Sequence, residues 1–392
     1  MQIFSKPKKQ KETLVLVFDV GSSSVGGALF LRQQGGAPKI LYTLREPIKL
    51  EADLDHQRFF ETTLKTLREV AGKMCLSGHG KPSEVYCVLS SPWFASQTRV
   101  IELEKNTPFI FTSKLADGLI EKEMKLFQEE HAKRYGEDMN RVRAIELKTM
   151  STSLNGYKTS KPFGQKAKEL EMSIFISMSQ ESLLGEIEKS IIRHFNVPEI
   201  KFISFAMASF AVARDMFVNQ ESFLLVNIGG EVTDISMVKK EVIRESISFP
   251  IGENFIVRRL AKGLKTTFDE ARSFMTIYNE GHMADALLKK TDAVITEIRT
   301  EWLRNFQESL RNLTNDISIP ATIFITVNKD LADFFSKTIK TEQLNQYTLT
   351  ESKFRMLFLS IESLHGIAIV KDDVVRDPFL IIESIYINQF LR

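Results

Sequence analysis

Two cysteines, Cys75 and Cys87, are all that the 392 residues contain. That excludes a disulfide framework and fits a reduced, cytoplasmic setting. His79 lies between them, but the three residues lack the spacing of a metal site. No apolar run approaches the roughly eighteen residues of a membrane span. The N-terminal MQIFSKPKKQKE carries lysines with no hydrophobic stretch behind them. It is therefore no signal peptide and reads as a basic tail over residues 1–12. Net charge is only +2, which offers no basic stripe for nucleic acid. What remains is a soluble globular composition, 43% hydrophobic and 26% charged, long enough for two domains.

The informative stretch is Thr13–Leu31, TLVLVFDVGSSSVGGALFL. Its short Val-rich apolar run, closing on Asp19 and a glycine, predicts a buried strand rather than a helix. Gly21-Ser22-Ser23-Ser24 is a tight small-residue turn, and Val25–Leu31 returns as a second strand. Backbone N–H groups of such a turn can converge on phosphate oxygens, with Asp19 placed to reach a phosphate-bound Mg²⁺ through water. A plain β-hairpin explains the stretch equally well when it is taken alone.

A second copy appears about two hundred residues later. Phe223–Ile228 reads as a strand, Gly229-Gly230 as a turn, Val232–Val238 as the return and Val242–Phe249 as a third strand. Duplicated hairpins of this kind would face each other across a cleft between two α/β domains. Between them, strand Ile40–Ile48, helix Leu54–Met74 and strand Glu84–Leu89 complete a first unit. An α+β module is then expected near Trp93–Leu170, with helix Ser113–Glu130 and strands Thr98–Leu103, Pro108–Phe111, Ala144–Met150 and Glu169–Met178. Such a module is too small for a catalytic cleft and predicts an interaction surface removable without loss of the main cleft. Helices are expected over Gln180–His194 (capped by Ser179), Ala206–Phe217, Glu253–Gly263, Phe268–Tyr278, Met283–Leu313, Asp330–Ile339 and Leu357–Leu364, with a strand at Ala321–Val327. The last helix, Phe379–Leu391, is apolar almost all round and is expected to pack on the body.

Taken together, these residues resemble the actin-like ATPase superfamily, in particular its FtsA and PilM types. Asp19-Val20-Gly21-Ser22-Ser23-Ser24-Val25 resembles the first phosphate motif, and Asn227-Ile228-Gly229-Gly230-Glu231-Val232-Thr233-Asp234 the second. Phe249-Pro250-Ile251-Gly252 is similar to the turn that follows it, and Leu154–Ser177 to the segment closing the SHS2-like inserted subdomain. The resemblance implies a duplicated actin-like (ribonuclease H-like) α/β fold around a nucleotide cleft. Domain I would span 13–216, with its insert at about 93–170, and domain II 217–392. ATP with Mg²⁺ is the implied cofactor. Its ligands would be Asp19 (also the metal's), Gly21, Ser22, Ser23, Ser24, Asn227, Gly229, Gly230, Thr233 and Asp234, with Glu270 toward the base.

Departures from the pattern imply weak or absent nucleotide binding and at most slow hydrolysis. Asn227 stands where the family has Asp, and Glu231 where it has a third glycine. The base-binding strand runs Ile323–Lys329 without glycine, Ser273 follows Glu270 where a lysine is usual, and Ile203–Ala211 offers no carboxylate to position water. A substrate-side base for a kinase cannot be singled out, and a chaperone would need a substrate-binding region after residue 392. The expectation is therefore an FtsA-like adaptor of bacterial cell division at the cytoplasmic face of the inner membrane. The alternatives are a PilM-like component of type IV pilus assembly or a nucleotide-free scaffold. Partners would be proteins of the division ring or pilus machine, with self-association through the insert and membrane contact only through partners.

Overall fold

The computed structural model describes residues 12–135, 142–313, 319–340 and 354–391. The first apolar run forms β1 (Thr13–Val20), which turns at Gly21 into antiparallel β2 (Ser24–Arg32) and then β3 (Lys39–Pro47). Helix α1 (His56–Cys75) starts where the Asp55 carboxylate accepts the Arg58 N–H, a capping bond typical of a helix N-terminus. Its Leu64, Leu67, Val70 and Met74 recur at helical spacing and seal one face of the sheet. Strand β4 (Glu84–Leu89) then joins β1 in parallel.

The inserted module follows as β5 (Ala95–Ile110), α2 (Ser113–Tyr135), β6 (Val142–Leu154), β7 (Tyr157–Lys158) and β8 (Lys166–Gln180), a sheet in the order β5-β8-β6-β7. The two strand pieces expected before α2 are one strand, with a bulge between Glu104 and Phe109. Strand β8 continues past Leu170 to Gln180, and alternate residues serve two cores. Met172, Ile174 and Ile176 pack beneath α2, whereas Phe175 packs into the main body. Glu146 of β6 ties the module down further: it accepts from the Ser204 N–H (3.3 Å) and hydroxyl (2.9 Å) and from the Tyr386 hydroxyl. The module is thus rooted in the body: removing Trp93–Leu170 would take away Glu146 from this junction and Trp93, whose indole N–H donates to the Gly21 carbonyl at 2.8 Å. This corrects the expectation of a removable module.

The chain continues through α3 (Glu181–Ile192), β9 (Ile200–Ser204) and α4 (Phe205–Met216). Ser179 does not cap α3, because its hydroxyl donates to the Trp93 carbonyl at 2.6 Å and Gln180 takes the cap position. The second half contains β10 (Phe223–Ile228), β11 (Thr233–Lys239), β12 (Val242–Phe249), α5 (Glu253–Leu264), α6 (Phe268–Glu280), α7 (Asp285–Asn312), β13 (Thr322–Thr326) and α8 (Lys329–Lys340). It closes with β14 (Arg355–Phe358), β15 (Ile369–Val370) and α9 (Pro378–Phe390). The helix expected over Leu357–Leu364 is strand β14 and a turn instead, since Thr322–Ile325 offers those residues a parallel edge.

The duplication is visible in the sheets. The order β3-β2-β1-β4-β9 in the first matches β12-β11-β10-β13-β14 in the second, with two antiparallel and then two parallel pairings in each. The end of the chain then leaves the second sheet. Strand β15 pairs with β3, and α9 buries Leu380, Ile382, Ile385 and Tyr386 in the core beneath the first sheet. Residues 217–392 are therefore not one packing unit. The apolar girth of α9 is spent on that core, at about 1.5–3 kcal/mol for each large side chain buried.

Candidate functional site

Strands β1 and β10 end side by side, and each delivers a glycine-bearing turn to one cleft. Asp19, Gly21, Ser22, Ser23, Ser24, Asn227, Gly229 and Gly230 all line it, together with Arg45, Glu253, Asn328 and Phe379. The turns touch. A Cβ on Gly230 would lie 2.5 Å from the Ser22 carbonyl carbon and the Ser23 nitrogen, so only glycine fits there. The Glu231 N–H donates to the Ser22 hydroxyl at 3.0 Å, and the Asn254 amide donates to the Ser22 carbonyl at 3.3 Å.

The groups expected to hold phosphate or metal are engaged internally. Arg45, reaching across from β3, donates to Asp19 (2.7 Å), to the Ser24 hydroxyl (2.9 Å) and to Asp377 at the N-cap of α9 (2.5 Å). Gly26 makes the room, since a Cβ there would meet the Arg45 guanidinium at 2.9 Å. The N–H groups of Glu253 and Asn254, which open α5, donate to the Gly229 and Gly230 carbonyls at 2.9 and 2.8 Å. The Glu253 carboxylate accepts from the Asn328 N–H at 3.0 Å and from the Asn328 side chain, across the strand end expected to shelve a base. Asn227 accepts from Thr326 at 2.9 Å.

Electrostatics here are unusual for a phosphate site. Asp19, Asp377, Glu383 and Glu253 gather around Arg45. Although burial opposes its charge, Asp377 and Asp19 hold the Arg45 guanidinium above its usual range. Burial pushes the Asp19 carboxyl up, with Arg45 pulling it partly back. Glu383, fully buried in α9, is raised well above the carboxylate range by burial and then by the Asp19 charge. Glu253 is pushed up to about 7 by burial, despite its two Asn328 donors.

Three expected site residues are not part of this lining. The Thr233 hydroxyl is buried, donating to the Ile251 carbonyl at 2.6 Å and accepting from Trp302. Asp234 is outside the lining but beside it: it is the strand partner of Asn227 and accepts from Ser91 at 2.8 Å and Ser248 at 2.6 Å. Glu270 forms the capping box of α6 with Thr267 and is exposed, so its position three residues after a threonine explains it without a ligand. Glu231, which stands where the family has a third glycine, is paired bidentately with Arg258 at 2.7 and 2.8 Å. Arg258 also donates to the Glu51 carbonyl at 2.8 Å, while neighbouring Leu50 is buried in the core of the second half. The segment after β3 is thus a clasp across the cleft.

Sequence reasoning missed Arg45, Asp377, Glu383 and Arg258. One signal was available: Glu383 is the single charge in the otherwise uncharged PFLIIESIYINQF of α9.

Mg²⁺-ATP does not fit this arrangement. The space between the turns, partly open to solvent, is about 30 Å³, against the several hundred Å³ of a usual small-molecule pocket. A polyphosphate would also meet more carboxyls than cations. Among the described residues no group of three or more His, Cys, Asp or Glu is arranged to hold a metal ion, so Asp19 gains no partner ligands.

No protein-family model and no curated protein matches the sequence. Solved structures do. A chain of the PilM-PilN type IV pilus biogenesis complex superposes with a TM-score of 0.60 over 91% of this chain and 90% of that one, at 12% identity. The chain has the duplicated actin-like fold. Lower scores come from the ethanolamine utilization protein EutJ of Carboxydothermus hydrogenoformans (TM-score 0.40, 11% identity, 97% and 90% covered). A Bacteroides thetaiotaomicron protein described as having an actin-like ATPase fold and unknown function gives 0.39, at 11% identity over 91% and 93%. Among the described residues no helix is long and apolar enough to cross a membrane.

Proposed function

We propose that this actin-like chain is an assembly scaffold that binds protein partners in a type IV pilus-type machine, with a cleft that works without nucleotide turnover. The observation that carries the reading is Arg45 seated between Asp19, Ser24 and Asp377, where a nucleotide-using relative needs space and a metal. A guanidinium so placed fixes the first turn permanently and makes a bound cation unnecessary for holding it. Support for the pilus assignment is the extent of the likeness to the chain of the PilM–PilN complex, which spans nine-tenths of both proteins. ATP is proposed as at most a weak ligand, admitted only when the clasp of Leu50 and Arg258 opens.

A two-hybrid or co-purification assay against inner-membrane pilus components and against a tubulin-like division protein tests this. Binding to a pilus component, unchanged when ATP is removed, is the expected result. Binding to the division protein alone, or sustained ATP turnover by the purified chain, would overturn it.

A further inference from the structure

The inserted sheet has two ends. At one, β5 starts and β8 finishes, with Ala95 paired to Met178, and the chain enters and leaves the body there. At the other, β5 and β6 finish and β8 begins, closed by two tight turns. Asn155 and Gly156 turn β6 into β7 with φ of 51° and 81°. The second turn carries Phe163 and Gly164, and the Gln165 N–H donates to the Pro162 carbonyl across it at 3.3 Å. Both turns are anchored to the sheet. Asn155 Oδ1 accepts from the Lys168 N–H at 2.8 Å, and the Phe111 N–H donates to the Gln165 carbonyl at 2.9 Å. Both also project, since a Cβ added at Gly156 or Gly164 would meet nothing within 4 Å.

This end exposes apolar side chains that a merely solvated turn does not need. Tyr157 is 80% exposed, Phe163 59% and Ile110 52%. They are held in place: Phe163 stacks on buried Phe111, ring centroids 5.5 Å apart and planes 7° apart, and Ile110 pairs with Lys166 in the sheet. Lysines are interleaved with them. Residues 104–114 and 155–169 hold six lysines against two carboxyls, Glu104 and Glu169. Those two carboxyls lie opposite one another on β5 and β8. The Lys105 ammonium lies 5.5 Å over the Phe109 ring, while Lys161, Lys166 and Lys168 are exposed.

We propose that this end of the module docks on an anionic lipid surface. Tyr157, Phe163 and Ile110 enter the headgroup layer, where an amphipathic ring is at home. The lysines keep their ammonium groups against the anionic headgroups while their stems lie along the apolar layer. The chain then meets the membrane directly, and not only through partners. Two other occupants fit less well. An isologous contact with a second copy would bring like charges together. Nucleic acid needs a basic groove that tracks its backbone, and two projecting turns offer none. The inference does not rest on the cleft or on which protein the scaffold binds, so its failure would leave the proposed function standing.

Vesicle flotation of the purified full chain tests it. Vesicles of phosphatidylcholine alone are compared with vesicles of equal parts phosphatidylcholine and phosphatidylglycerol. Binding to the anionic vesicles is expected, falling to the neutral level as salt rises from about 0.1 M to about 1 M and screening shortens from about 10 Å to about 3 Å. Each lysine near such a surface accounts for about fivefold in binding, so Lys161→Ala with Lys166→Ala should weaken it by about twenty-fivefold. The control Lys289→Ala with Lys290→Ala, which removes two exposed lysines of α7, should bind like the wild type. Tyr157→Trp places a reporter on the turn, and the native Trp93 and Trp302 are buried. Its emission should move to shorter wavelength with anionic vesicles. Absence of vesicle binding, equal loss in the control pair, an unmoved Tyr157→Trp emission, or binding to RNA in place of lipid would each overturn the proposal.

Discussion

Removing Arg45 should be among the most damaging single changes in the first half of the chain. Its guanidinium lies 2.7 Å from Asp19 and 2.5 Å from Asp377. At an effective dielectric near 20, each contact is worth about 6 kcal/mol of gross Coulomb attraction. Desolvation of the three groups cancels much of that, and truncating one member of a buried ion pair typically costs about 3–5 kcal/mol. Arg45→Ala also forfeits the packing of the guanidinium over Phe379, 5.4 Å from the ring centroid. Its sign with pH is fixed. Without Arg45 nothing pulls the buried Asp19 carboxyl back, so it rises further above its unfolded value, and stability is retained in acid and lost as pH rises through the raised range. Urea denaturation at several pH values should show a deficit of about 3–5 kcal/mol near pH 7 that narrows toward pH 4. Arg45→Lys, a point charge unable to bridge both carboxylates, should recover only part of it. A deficit under about 1 kcal/mol, the size of an exposed ion pair, or one that widens in acid, would refute the reasoning.

Tyr386→Phe takes one donor from buried Glu146 and should lower stability by about 1–3 kcal/mol. Because burial raises that carboxyl, the loss should be smallest in acid, where Glu146 is protonated; a uniform loss across pH contradicts this. Arg258→Ala leaves Glu231, 8% exposed in its side chain, without a counter-charge and held only by the Asn254 amide at 2.8 Å, and releases the Glu51 carbonyl. It should raise hydrogen exchange at the Glu231 and Asn254 amides selectively, and uniform protection across the chain would speak against a clasp. Glu253→Gln should remove a pH dependence of stability near neutrality. With the wild-type carboxyl pushed up to about 7, the wild type loses stability as pH rises from the unfolded value toward 7. The neutral amide should avoid about 3 kcal/mol of that loss, as read from paired denaturation curves at about pH 5 and pH 8.

Much of the fold was legible because its signals are local. The Val-rich run ending at Asp19 and the run Phe223–Ile228 gave β1 and β10, and their following glycines gave both turns. Leu357–Leu364 misled because a short apolar run has no decisive period; pairing with β13 settles its start, Leu357 and Phe358, as strand, and a turn follows. The cleft was legible only as two backbones. What fills it comes from Asp377 and Glu383 on a segment more than three hundred residues from Asp19 and Arg45, a proximity that exists only after α9 returns to the first sheet. Glu231 shows the same limit. Its departure from glycine was visible, but the neutralising Arg258, one helical turn into α5, was not.

Calorimetric titration of ATP into the purified chain, with and without Mg²⁺, bears most directly on a cleft already occupied by Arg45. The expected result is no saturable heat in either condition at micromolar protein, and no gain on adding Mg²⁺. Tight, Mg²⁺-dependent binding with one site per chain would contradict it and restore the cleft as a nucleotide site.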